Sequence, residues 1–169
     1  MIIIGYPGIG KSTLTTRSSI VFGTRYIDLE SSNWNDTEGK KLPNWWYSYC
    51  KVAEDLSRQG YRVFVSCHKE VQDYLKDSDE YVILCYPDIE LRDAWIERLR
   101  CRYENDPSQK NKNALITAEK FYSQHINDLF LAPFKNKCVL RDMSYILDNE
   151  IDSFIHCPNC RESVDEVNK

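Results

Sequence analysis

Short apolar runs alternate along the chain with longer stretches whose apolar residues recur at helical spacing. Met1–Ile4, Arg25–Leu29, Tyr61–Cys67, Tyr81–Pro87 and Lys137–Leu140 are too short for helices, are rich in β-branched and aromatic residues, and predict strands. Trp45–Arg58 carries Trp46, Tyr49, Cys50, Val52, Ala53 and Leu56 at helical spacing, with Gly60 placed as a C-terminal stop. Further helices are expected over Ser12–Arg17, over Lys69–Asp77 on Val71, Tyr74 and Leu75, and over Glu90–Tyr103 on Leu91, Ala94, Trp95 and Leu99. Asp88 caps the last of these, just after Pro87 ends its strand. Ala114–Leu131, with Ile116, Phe121, Ile126 and Leu129 as its core face, and Tyr145–Ile155 complete the helical set.

Two polar stretches interrupt this pattern. Asn33–Asn44 contains Gly39 and Pro43, is bracketed by Trp34, Trp45 and Trp46, and reads as a loop or mobile flap. Glu104–Asn113 contains Asp106-Pro107-Ser108 and the lysines Lys110 and Lys112, and reads as a lid loop between helices. The aromatics around the first stretch serve either as core or as a platform over a planar substrate.

Composition narrows the classes. The 169 residues suit one domain, and 42% hydrophobic with 28% charged content is ordinary for a globular protein. A net charge of −4 argues against an electrostatic grip on long nucleic acid. No apolar run approaches the ~20 residues that span a bilayer, and the chain opens directly on a strand rather than a leader, so no membrane association is expected. The seven cysteines, several within apolar runs, fit a reducing, cytoplasmic setting better than a disulfide framework.

The most specific signal is Gly5-Tyr6-Pro7-Gly8-Ile9-Gly10-Lys11-Ser12, which satisfies the phosphate-loop pattern G-x-x-x-x-G-K-[ST] between a strand and a helix. Glycines let successive N–H groups converge on a polyphosphate, and a helix N-terminus adds the positive end of its dipole. Gly8, Ile9, Gly10, Lys11, Ser12 and Thr13 are therefore expected to bind ATP, with Lys11 reaching the β- and γ-phosphates and Ser12 ligating Mg²⁺.

Other candidates lie at strand ends, where the ligand crevice of a doubly wound sheet opens. Asp28 and Glu30 end the second strand; a carboxylate there takes the proton of an attacking hydroxyl or holds Mg²⁺ through water, unless both simply solvate a strand end. His68, after Ser66-Cys67, either contacts acceptor or phosphate or is structural. Arg98 and Arg102 share one helix face, either as surface cations or positioned across a transferring phosphoryl group. Arg141-Asp142-Met143 stands at the fifth strand's end, where a base contact could form. The tail, 156–169, holds one C-x-x-C, Cys157 and Cys160; that is half of a zinc site, so an unligated tail is expected over a zinc knuckle.

The phosphate loop, the acidic strand end at Asp28 and the arginine helix before a polar stretch resemble the adenylate-kinase-like P-loop kinases, which include nucleoside, nucleotide, shikimate and gluconate kinases; the compact form is similar to small phage and bacterial members. The resemblance covers most of residues 1–145. It implies a three-layer α/β/α fold with a parallel five-stranded sheet over 1–155, a lid at about 98–115, and MgATP as phosphoryl donor. It also implies Lys11 and Ser12 on phosphate and Mg²⁺, Asp28 as the acceptor-side acid and Arg98 and Arg102 as lid arginines, so Lys11, Asp28, Arg98 and Arg102 are the catalytic candidates; Glu30 and His68, from their strand-end positions, join Asp28 as acceptor-side candidates. The expected acceptor is a small molecule, a nucleoside or nucleotide first, with a gluconate- or shikimate-type metabolite or non-catalytic ATP binding as alternatives. The D-G-[FY]-P-R signature of nucleoside monophosphate kinases is absent where Ser66-Cys67-His68-Lys69 stands, and the Ser-Cys ending is similar to gluconate-type kinases. No N/T-K-x-D base-reading motif and no Asp-Glu strand end occur, which favours transfer to an acceptor over GTPase or motor chemistry.

Overall fold

The computed structural model describes residues 1–12, 15 and 25–143. Thr13, most of the predicted Ser12–Arg17 helix, the predicted Tyr145–Ile155 helix and the Cys157/Cys160 tail lie outside the described residues.

Five parallel strands form one sheet: β1 Ile2–Gly5, β2 Tyr26–Asp28, β3 Arg62–Ser66, β4 Val82–Pro87 and β5 Asn136–Leu140, in the order β2-β3-β1-β4-β5. Both flanks of β1 are parallel pairs, Gly5 standing opposite Ser66 on one side and Cys85 on the other. Parallel strands need crossovers, which cover both faces of the sheet, so central strands are apolar throughout. Accordingly every residue of β1 and of β4 is buried. The expected α/β fold with a five-stranded parallel sheet is the one observed.

The crossovers are α1 Trp45–Arg58, α2 Lys69–Leu75, α3 Arg92–Asn105 and α4 Gln109–Leu131. The boundaries of α1 are those its pattern predicts. Gly60, at φ 88°, ends it, with Gly60 N–H donating to Ser57 O (2.9 Å) and Tyr61 N–H to Leu56 O (3.1 Å), the paired bonds of a Schellman stop. Asp88 caps as expected, its carboxylate accepting from Glu90 N–H, but the turn it opens is a 3₁₀ segment, Ile89–Leu91, before α3 begins.

Several expectations are corrected. Most of the polar stretch 104–113 is helical: α3 runs to Asn105 and α4 starts at Gln109. Ser108 caps α4 by accepting from Asn111 N–H, and Asn111 Nδ2 donates to Asp106 O and Oδ2, both at 2.8 Å, so polar residues here satisfy a helix start rather than a long loop. The core face of α4 is Leu115, Ala118, Tyr122, Ile126 and Leu129, while Ile116 and Phe121 are exposed. Val52 and Ala94 are also exposed, and Ile96 is buried instead. In each case apolar character alone misjudged the helix phase. The stretch after β2 is structured too: a 3₁₀ turn, Ser31–Trp34, leads to an antiparallel bridge between Asn35 and Lys41.

Candidate functional site

Because the strands are parallel, their carboxyl ends share one edge, and the loop after β1 lies at its centre. Gly8 and Gly10 have φ of 90° and 97°, the left-handed backbone that lets the loop curl. A Cβ on Gly5 would come 2.5 Å from Ile9 Cδ1, so the loop closes back on the strand that launches it. Buried Ile9 and Tyr6 root it in the core. From α3, Trp95 Nε1 donates to Pro7 O at 2.9 Å, and Arg98 Nη1 donates to Gly8 O at 3.3 Å. The Arg98 guanidinium lies 4.5 Å from the Trp95 ring centroid and also donates to Met143 O.

Lys11 donates from Nζ to Gly5 O at 2.8 Å, holding its ammonium across the mouth of the loop. Burial pulls its pKa below the usual lysine value, with Asp28 the strongest of the carboxylates opposing that shift. Cys67, Lys110 and Glu30 lie within electrostatic reach of the same ammonium. A cation so confined is stabilised by a polyanion. The Ser12 hydroxyl donates to Asp28 Oδ2 at 2.9 Å, which joins the loop to the end of β2. A hydroxyl and a carboxylate are hard oxygen donors suited to Mg²⁺, which takes few protein ligands and completes its shell with water and substrate phosphates. Ser12 would hold that ion, with Asp28 reaching it through a bound water, and it would neutralise charge on the phosphates.

Glu30 forms an ion pair with Lys110 at the start of α4, linking the β2 edge to the connection 106–108. His68 stands at the N-cap position of α2 without a side-chain cap bond, and its ring packs T-shaped against the indole of Trp45, 5.2 Å between centroids. Burial, then repulsion from Lys41, lowers its pKa below 6.5; Glu70 opposes and Lys11 adds to the lowering. Thus Lys11, Ser12, Asp28, Glu30 and His68 come to one edge. Arg98 reaches the loop through the Gly8 carbonyl. Arg102, one turn further along α3 and half-buried, makes no described side-chain bond to the loop.

Sequence reasoning missed several participants. Tyr49 donates to Leu29 O (2.7 Å) and accepts from Ser66 N–H (2.9 Å), tying the ends of β2 and β3 together. Its place on an apolar helix stripe signals core and nothing about the edge. Lys41 and Lys110 were hidden in polar stretches. Trp95 matched the core pattern, and only its indole N–H hints at a second role. Burial holds the Cys67 thiol above its usual pKa, so it stays protonated rather than serving as a nucleophile. A separate cavity of about 740 Å³ between α1 and α2 is lined by Trp46, Tyr74, Glu54 and Arg58 among others, and by no residue of the phosphate loop.

No family model matches the chain, and no curated protein matches it in sequence. Solved structures do. A gluconokinase from Sinorhizobium meliloti 1021 superposes with a TM-score of 0.54 at 13% identity, covering 96% of this chain and 95% of that one. A sugar kinase from Janibacter sp. HTCC2649 gives a TM-score of 0.48 at 14% identity over 83% of each chain. The fold is that of P-loop kinases. Among the described residues, no helix is long and apolar enough to cross a membrane.

Proposed function

We propose that the protein is an ATP-dependent phosphotransferase that moves the γ-phosphoryl group of MgATP to a hydroxyl of a small acceptor. The observation that carries this reading is the 2.9 Å bond between Ser12 and Asp28 beside the Lys11 ammonium. It supports Ser12 as the Mg²⁺-binding hydroxyl, Lys11 as the phosphate cation and Asp28 as the acceptor-side carboxylate of one site. Lys11 and the loop N–H groups spread the charge of the phosphoryl group, and Arg98 stiffens the loop through Gly8 O. Arg102 is assigned to the lid side, with 98–115 as the segment that closes over the nucleotide. Asp28 orients the acceptor hydroxyl and takes its proton.

Nucleosides or nucleotides are the first acceptors to test, with Trp34, half-buried after the end of β2, as the aromatic side chain that supports a planar base there. A sugar acid is the second, favoured by the gluconokinase likeness. Incubation with γ-labelled ATP and both acceptor classes separates them: label appears on the nucleoside or on the sugar acid. ATP binding with no labelled product from any acceptor would instead indicate a nucleotide-regulated binding protein and overturn the enzymatic reading.

A further inference from the structure

The acceptor side holds a cation that the phosphate loop does not employ. Lys41 closes the small bridge after β2, and its ammonium lies 4.3 Å from the centroid of the Trp45 ring while donating to Ser31 O. An ammonium has three protons, and the carbonyl takes one. Among the described residues no carboxylate lies within ion-pair distance of it: Glu30, the acid in its field, is engaged by Lys110. Half-burial against an indole without an anion is costly for an ammonium, and burial accordingly lowers its pKa. The His68 ring packs against the same Trp45 ring in a T-shaped contact, 5.2 Å between centroids, and adds a second polar group there. His68 feels the charge of Lys41 and, more weakly, of Lys11, with Glu70 opposing, so its imidazole lies within reach of both ammoniums.

We infer that Lys41, held on Trp45 with His68 alongside, is the anion subsite of the acceptor pocket, and that the acceptor carries a carboxylate or phosphate in addition to the hydroxyl it presents to Asp28. This rests on the phosphotransferase reading. Bound by its anionic group, the acceptor is aimed so that its hydroxyl oxygen forms a bond to the γ-phosphorus. The bond from that phosphorus to the bridging oxygen breaks, ADP leaves with the electron pair, and the hydroxyl proton passes to the Asp28 carboxylate. Lys41 is then the residue that tells a charged acceptor from its neutral counterpart.

Titration calorimetry tests this on the full chain and on Lys41→Met, with nucleoside monophosphates set beside nucleosides and sugar acids set beside the matching polyols. In the unaltered protein at least one anionic member should bind about tenfold or more tighter than its neutral counterpart, and Lys41→Met should erase that preference. Whether phosphate or carboxylate is the group bound follows from which pair shows it. MgATP affinity should be the same in both proteins, which also shows that the variant is folded. Equal binding of charged and neutral members, a preference that survives in Lys41→Met, or no binding of any anion overturns the inference. Loss of MgATP binding in the unaltered protein would instead overturn the phosphotransferase reading, so the two failures are distinct.

Discussion

The donor and acceptor halves of the crevice are built by different means. The donor half is backbone: a loop of eight residues whose shape is set by glycines and pinned by an indole and a guanidinium on its carbonyls. The proposed acceptor half is side chain: Asp28, Glu30, Lys41 and His68, backed by Trp45 and Tyr49, arrive from β2, the bridge after it, α1 and the end of β3. A backbone site leaves a contiguous motif in the sequence. A side-chain site assembled across 40 residues leaves only scattered residues whose types are common elsewhere. The same contrast predicts where substitutions act.

The largest effect belongs to Lys11. Lys11→Ala should lower phosphoryl transfer by about 10²–10³-fold or more, since removing one preorganised charge-stabilising donor has that effect in other enzymes. Its ammonium is confined and carries a lowered pKa, so the variant should melt no earlier than the unaltered protein. Product assay and thermal melting check the two arms. A variant that turns over normally would refute the role given to the loop.

Gly8 and Gly39 have nearly the same φ, 90° and 81°, in different surroundings. An alanine Cβ at Gly8 would stand 3.1 Å from Trp95 Nε1 and 3.3 Å from Leu99 Cδ2, whereas at Gly39 nothing lies within 4 Å. Gly39→Ala should lose only the backbone term, about 1–2 kcal/mol. Gly8→Ala adds crowding against a buried indole and should lose more, together with ATP affinity. Denaturant titration of both variants measures the difference, and equal losses would show that the Trp95 contact does not constrain the loop.

Tyr49→Phe probes the acceptor half. It leaves Ser66 N–H without its acceptor and Leu29 O without its donor, at a cost of about 1–3 kcal/mol. The acceptor KM should rise more than the ATP KM, because Tyr49 fixes the ends of β2 and β3 and the loop hangs on β1 and α3. Steady-state kinetics with each substrate varied shows which half moves.

The strands and the start and stop of α1 were legible because apolar runs, helical spacing and Gly60 all report local physics. The phosphate loop was legible for the same reason: its geometry requires glycine at fixed positions. The helical course of 104–113 was not, since its polar residues look like loop until Ser108 and Asn111 are seen closing a helix start. The phase of α4 failed at Ile116 and Phe121 because an exposed apolar residue costs little and leaves no sequence mark. Tyr49, Lys41 and Lys110 act only through tertiary contacts, and no local pattern announces such contacts.

The smallest effect is a pH dependence at the acceptor edge. His68 has a pKa below its unfolded value near 6.5, through burial first, then Lys41, with Lys11 in the same sense and Glu70 against. Above pH 6.5 the imidazole is neutral in both folded and unfolded chains and contributes nothing. As pH falls below 6.5 the unfolded chain takes up the proton first, so stability declines until the folded pKa is passed and then levels off. His68→Gln cannot titrate and should flatten this part of the stability profile while leaving stability above pH 7 nearly unchanged. Lys41 adds to the effect of burial, so Lys41→Met should raise the His68 pKa and shrink the decline without removing it. Urea unfolding at a series of pH values measures all three profiles. An identical slope in His68→Gln would move the titrating group elsewhere and remove the electrostatic link between the flap and the end of β3.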